Sequence, residues 1–128
     1  MDPAVEIDLL NQLAITEFEC RHYTSALMRL DTLIKLSASY YTEQSPEILR
    51  LLALQARYQI KLFLLNDAKK NFKRFNKLKN EIKCLIPFEI LEENRLNKAL
   101  FFFSKRKLAH CKEAIRDFQS SENHTLLD

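Results

Sequence analysis

Not one of the 128 residues of this chain is glycine. Average usage of about 7% would place roughly nine in a chain of this length. The absence excludes whole classes of structure and chemistry. A phosphate-cradling loop of the P-loop or dinucleotide type needs glycine where the backbone must approach the ligand. Two-residue β-hairpins favour Asn-Gly or Asp-Gly turns, because their central residues take positive φ. With only three prolines as well, the chain reads as all-α: helices joined by short turns.

Three alanines organise those helices. Ala26, Ala68 and Ala114 are each followed four residues later by a large apolar side chain, Leu30, Phe72 and Phe118. Each is preceded three residues earlier by Tyr23, Leu65 and Cys111, and twelve residues earlier by Ala14, Ala56 and Phe102. A small residue beside a bulky one at helical spacing is what closely packed helix pairs require. The pattern predicts three antiparallel pairs, over residues 3–41, 46–83 and 87–120, with 122–128 as a frayed tail. At 15.2 kDa these form a single domain, spanning 1–121, with enough chain to bury a core.

Local signals place the helix starts. Asp2-Pro3 and Ser45-Pro46-Glu47 each combine a capping side chain with a proline at the first helical position. Thr24 and Asn66 are candidate caps for the second and fourth helices. Pro87 interrupts the pattern after Cys84-Leu85-Ile86. The fifth helix is expected to run to about Lys105 and a sixth to begin at His110.

These pairs resemble the tetratricopeptide repeat family. Leu10, Leu13 and Ala14 fall at the large, large and small positions of that motif's first helix, and Tyr23, Ala26 and Leu30 at the aromatic, small and large positions of its second. The second pair keeps Leu52, Ala56, Leu65, Ala68 and Phe72 but has Gln55 where a leucine is usual. The third keeps little beyond Ala114 and Phe118. The alanines are 42 and 46 residues apart, whereas the family repeat is about 34 residues, and the motif's turn glycine is missing. An ordinary six-helix bundle is the competing reading. The resemblance implies a right-handed superhelix whose first helices line a concave groove. In that register the groove carries Asn11, Ile15 and Phe18 from the first helix, Arg50, Ala53, Arg57, Ile60 and Lys61 from the third, and Phe103, Arg106 and Lys107 from the fifth. This mixed basic and apolar surface favours a protein segment with acidic and hydrophobic residues. Relatives that grip a chaperone's C-terminal carboxylate use lysine and asparagine where this chain has Asn11 and Ile15, so that activity is not expected.

Charge is unevenly spread. Residues 1–50 hold eight acids and four bases, a net of −4, and residues 67–83 hold seven bases and two acids, a net of +5. Such polarity suits a complementary partner or head-to-tail self-association. The basic patch Lys69, Lys70, Lys73, Arg74 and Lys77 offers a face for nucleic-acid phosphates. Phe72 and Phe75 interleave with it, but they share a stripe with Ala68, Leu78 and Ile82 and so read as core.

Catalytic and metal chemistry find little here. No serine or cysteine stands with a histidine in a motif context, and there is no zinc-protease signature. Cys20, His22, His110 and Cys111 could supply four zinc ligands, yet their spacing matches no compact zinc motif, and Cys111 occupies a core repeat position. No metal and no cofactor is expected. Three widely spaced cysteines, no apolar run near the about 20 residues of a membrane span and no secretory leader point to the cytoplasm or nucleus. Leu100 to Phe103 are four consecutive bulky residues that one neighbour cannot cover. The chain therefore reads as the start of a longer repeat protein, or as one whose end docks on a partner. The expected function is a non-enzymatic adaptor or scaffold module. The alternative is a basic helical module binding nucleic acid through the Lys69–Lys77 face.

Overall fold

The computed structural model describes residues 2–42 and 44–127, with side chains described as far as residue 120. It is all-helical: α1 (Pro3–Glu19), α2 (Tyr23–Tyr41), α3 (Pro46–Lys61), α4 (Leu65–Glu81) and α5 (Phe88–Leu127). The starts of α1 and α3 follow their local chemistry. Asp2 Oδ1 accepts from the Ala4 amide at 3.1 Å and Ser45 Oγ from the Glu47 amide at 3.2 Å, each ahead of a proline at the first helical position.

The first two pairs are equivalent hairpins 42 residues apart. Each turn is a Schellman motif. The amides of His22 and Arg21 donate to Glu17 and Phe18, and those of Leu64 and Phe63 to Gln59 and Ile60. The left-handed residue of that motif is ordinarily glycine. Here it is Arg21 (φ 67°) in one hairpin and Phe63 (φ 58°) in the other. The second helix then starts at once, with the His22 and Leu64 carbonyls accepting from Ala26 and Ala68. Thr24 and Asn66 therefore lie inside their helices and do not cap them. A non-glycine residue in the left-handed region costs on the order of 1 kcal/mol. Arg21→Gly is accordingly expected to stabilise the fold by up to about 0.5 kcal/mol, net of the extra freedom glycine has when unfolded. Urea unfolding reads this as a raised midpoint with an unchanged slope; a lowered midpoint would mean that the Arg21 side chain stabilises the turn.

Ala14, Ala26, Ala56 and Ala68 are all buried, each exposed by 1% or less, where the helices of these hairpins meet. The main core joins Leu30, Leu33 and Ile34 of α2 to Ile48, Leu49, Leu51 and Leu52 of α3, with Ile7 and Ala14 of α1, Phe75 of α4 and Ile90 of α5. A second cluster, Ile60, Ala68 and Phe101, ties α4 and α5 to the end of α3.

The third pair does not form. Residues 88–127 are one continuous 40-residue helix, about 60 Å long at 1.5 Å per residue. A sixth helix beginning at His110 required a break near Lys105. The intervening run Ser104-Lys105-Arg106-Lys107-Leu108-Ala109 holds no glycine, proline or effective cap, and most of its residues favour helix. The helix continues to Leu127. The third alanine anchor fails with the third pair, because Ala114 and Cys111 are exposed. Past Leu108, every residue from Ala109 to Ser120 is exposed.

Candidate functional site

A cleft of about 360 Å3 opens where α1, α3 and α5 converge. It is walled by Asn11 and Ile15 of α1, by Arg50, Ala53, Leu54 and Arg57 of α3, and by Glu89, Ile90 and Glu93 of α5. Five of the expected groove residues, Asn11, Ile15, Arg50, Ala53 and Arg57, come together here. Phe18 and Lys61 sit in a separate hollow with Glu19, Arg21 and Tyr23. There Phe18 stacks on Tyr58, with ring centroids 3.7 Å apart, and the Lys61 ammonium lies 5.5 Å above the Phe18 ring. Burial first, and the Glu19 carboxylate second, push the Tyr58 phenol above the ordinary tyrosine pKa. Ile60 is buried in the α3–α5 cluster and faces no groove.

Phe103, Arg106 and Lys107 are exposed on α5 but do not line the cleft. The fifth helix meets α3 through Ile90, Asn97 and Phe101, at i, i+7 and i+11, which turns its early residues towards the groove. Those residues are acidic. The groove therefore matches Arg50 and Arg57 with Glu89 and Glu93, and the basic character expected of it is cancelled.

Arg57 is bound within the fold. Its Nε donates to Asn97 Oδ1 at 2.6 Å and its Nη2 pairs with Glu93 Oε2 at 2.6 Å. Asn97, fully buried, also donates from Nδ2 to the Ala53 carbonyl at 2.8 Å. This amide locks α5 to α3. Arg50 is the more open cation of the cleft: among the described residues it pairs with Glu47 alone, at a long 3.7 Å, and both side chains are about half exposed. Among the described residues none donates to Asn11 Oδ1, which is buried.

A larger cleft, about 530 Å3, lies on the other side of α3, among Thr24, Leu27 and Asp31 of α2 and Asp67, Lys70, Asn71 and Arg74 of α4. Its floor is a polar chain. Gln55 Nε2 donates to Asp31 Oδ1 at 2.6 Å, and Asn71 Nδ2 donates to Gln55 Oε1 at 2.7 Å. Gln55, the residue that breaks the family pattern, is the hub linking α2, α3 and α4. That departure was the visible signal of this network; Asn71 gave none.

The patch of Lys69, Lys70, Lys73, Arg74 and Lys77 is exposed along α4. Among the described residues none of the five forms an ion pair. Phe75 beneath them is buried, and Phe72 packs edge-on against Phe101 at 5.5 Å. Among the described residues no group of three or more His, Cys, Asp and Glu side chains could hold a metal ion, and no helix is long and apolar enough to cross a membrane.

Comparison with known proteins returns no match: no protein-family model, no curated protein and no solved structure is significantly similar to the chain.

Proposed function

We propose that this chain is a non-enzymatic adaptor module, a tetratricopeptide-like stack of helical hairpins that works by binding protein partners in the cleft between α1, α3 and α5. The observation that carries the reading is the cleft itself. Its walls come from alternate helices, the first of each hairpin and the helix that follows them, as a solenoid groove requires. The 42-residue equivalence of the two hairpins, down to the Schellman turn and the buried alanine, supports the repeat character. The cleft offers apolar walls from Ile15, Leu54 and Ile90, an open guanidinium at Arg50 and an unpartnered acceptor at Asn11. The occupant that fits is a hydrophobic peptide or helix with a carboxylate for Arg50 and a donor for Asn11. Glu89 and Glu93 disfavour a strongly acidic one.

The second reading is nucleic-acid binding through α4, favoured by five exposed cations without ion pairs. Affinity capture separates the two. For the adaptor, Arg50→Glu with Ile15→Asp should lower capture of partners at least tenfold, while nuclease and the triple reversal of Lys69, Lys73 and Lys77 leave it unchanged. Capture abolished by nuclease, by that triple reversal and by raised salt would assign the function to phosphate contacts.

A further inference from the structure

The second half of α5 carries an apolar seam that the body meets only at its start, where Leu108 lines a hollow with Phe63 and Leu65. Leu108, Cys111, Ile115 and Phe118 follow one another at spacings of three, four and three, the repeat of a helix that pairs with another helix. They extend the line of Ile90, Asn97 and Phe101 that binds α5 to the body, past the point where the body ends. Leu108 is half-buried, whereas Ile115 is 56% and Phe118 68% exposed. At 100° per residue, Lys112 and Arg116 flank this seam on one side and Lys107 on the other, while Glu113 and Asp117 lie on the far face.

At the other end of the chain α1 presents the opposite pattern. Val5, Leu9 and Leu13 form an exposed apolar strip at i, i+4 and i+8, directly away from the buried Ile7 and Ala14. Glu6 flanks the strip on one side and Asp8 and Glu19 on the other, all three exposed. The helix contains four acids and no base, and its remaining acid, Glu17, is held by Arg29. The two strips match in length: Val5 to Leu13 spans about 12 Å and Leu108 to Phe118 about 15 Å at 1.5 Å per residue.

We infer that the free half of α5 docks on the outer face of α1 of a second copy, so that the chain associates head to tail. This rests on the adaptor reading, and it names the occupant of the open end. Charge decides against the symmetric alternatives. Two α5 seams face to face would set Lys107 and Lys112 against their own copies, and two α1 strips would oppose Glu6 and Asp8 in the same way. Only the unlike pair places carboxylates beside ammonium groups along a shared apolar line. Each copy has one strip of each kind, so the contact is heterologous and propagates. The interface is between two and three turns long, which places it with weak, concentration-dependent contacts.

Sedimentation velocity over a concentration series, at low and at raised salt, tests this. The expected result is an average mass that climbs above the monomer with concentration and falls back with salt. Lys107→Glu/Lys112→Glu alone and Glu6→Lys/Asp8→Lys alone should each weaken association at least tenfold, with circular dichroism unchanged. An equimolar mixture of the two variants should associate again, because each now carries the charge the other needs. A monomer throughout the series, an assembly indifferent to the α1 reversal, or a mixture that stays monomeric would each overturn the inference. Arg50-dependent partner capture surviving the α5 reversal would leave the groove reading standing, because Lys107 and Lys112 do not line the groove.

Discussion

Replacing Asn97 with leucine is expected to lower the stability of the fold by about 2–3 kcal/mol, although the two side chains branch alike and carry the same number of heavy atoms. The asparagine is fully buried and holds two elements at once, accepting from Arg57 Nε and donating to the Ala53 carbonyl. Leucine removes both bonds and leaves a guanidinium N–H facing an apolar neighbour. A buried donor without an acceptor costs about 1–3 kcal/mol, with the upper part of that range for charged groups. The neighbouring ion pair makes the control. Glu93 also binds Arg57, but its side chain is 56% exposed, and exposed pairs contribute about 0–1 kcal/mol. Glu93→Gln should therefore shift the urea midpoint little, where Asn97→Leu shifts it strongly. Equal effects would mean that the ion pair, and not the amide, fastens α5. A functional consequence follows from the same geometry. Glu89, Ile90 and Glu93 form one wall of the cleft only while α5 stays fixed to α3, so Asn97→Leu should weaken partner capture without touching any partner.

The helices that begin with a cap and a proline could be read from the residues, because Asp2-Pro3 and Ser45-Pro46 act through atoms two positions away. The turns between paired helices could not. Arg21 and Phe63 occupy positions that normally ask for glycine, and what holds them there is a pair of hydrogen bonds to the preceding turn, not their own preference. Thr24 and Asn66 looked like caps for the converse reason: both are good capping residues, but each helix had already started at the residue ending the Schellman motif. The groove was legible only as far as α3. Asn11, Ile15, Arg50 and Arg57 follow from the register of the hairpins, whereas the contribution of α5 depends on how that helix rotates against α3. That rotation is set by Asn97, an amide inside an otherwise apolar line, and periodicity treats such a residue as a defect rather than an anchor. Phe103, Arg106 and Lys107 belong to the groove only if a third pair forms; in the continuous helix Glu89 and Glu93 of its first turns take that place.

The alanine pattern itself can be tested with one substitution made at three places. Ala26→Leu and Ala68→Leu are each expected to cost about 2–3 kcal/mol, while Ala114→Leu should stay within about 0.5 kcal/mol of the parent. Leucine and alanine differ little in helix propensity, so any large difference between sites must come from packing. Ala26 and Ala68 have no exposed surface at all. Ala68 lies against Ile60 and Phe101, with Leu65, Phe72 and Leu100 around them. Three added carbons there must push α4 away from α3 or force a neighbour from its rotamer. Ala114 stands on the free half of α5, where a leucine meets only solvent. Thermal unfolding reads the difference directly, with depressions of several degrees for the first two and almost none for the third. A large loss at Ala114 would mean that α5 folds back on the body in solution and that the third hairpin exists after all. Such a hairpin would also take the α5 seam out of reach of α1 and with it the basis for head-to-tail association, so the outcome at this one alanine decides between a closed domain and one with an open end.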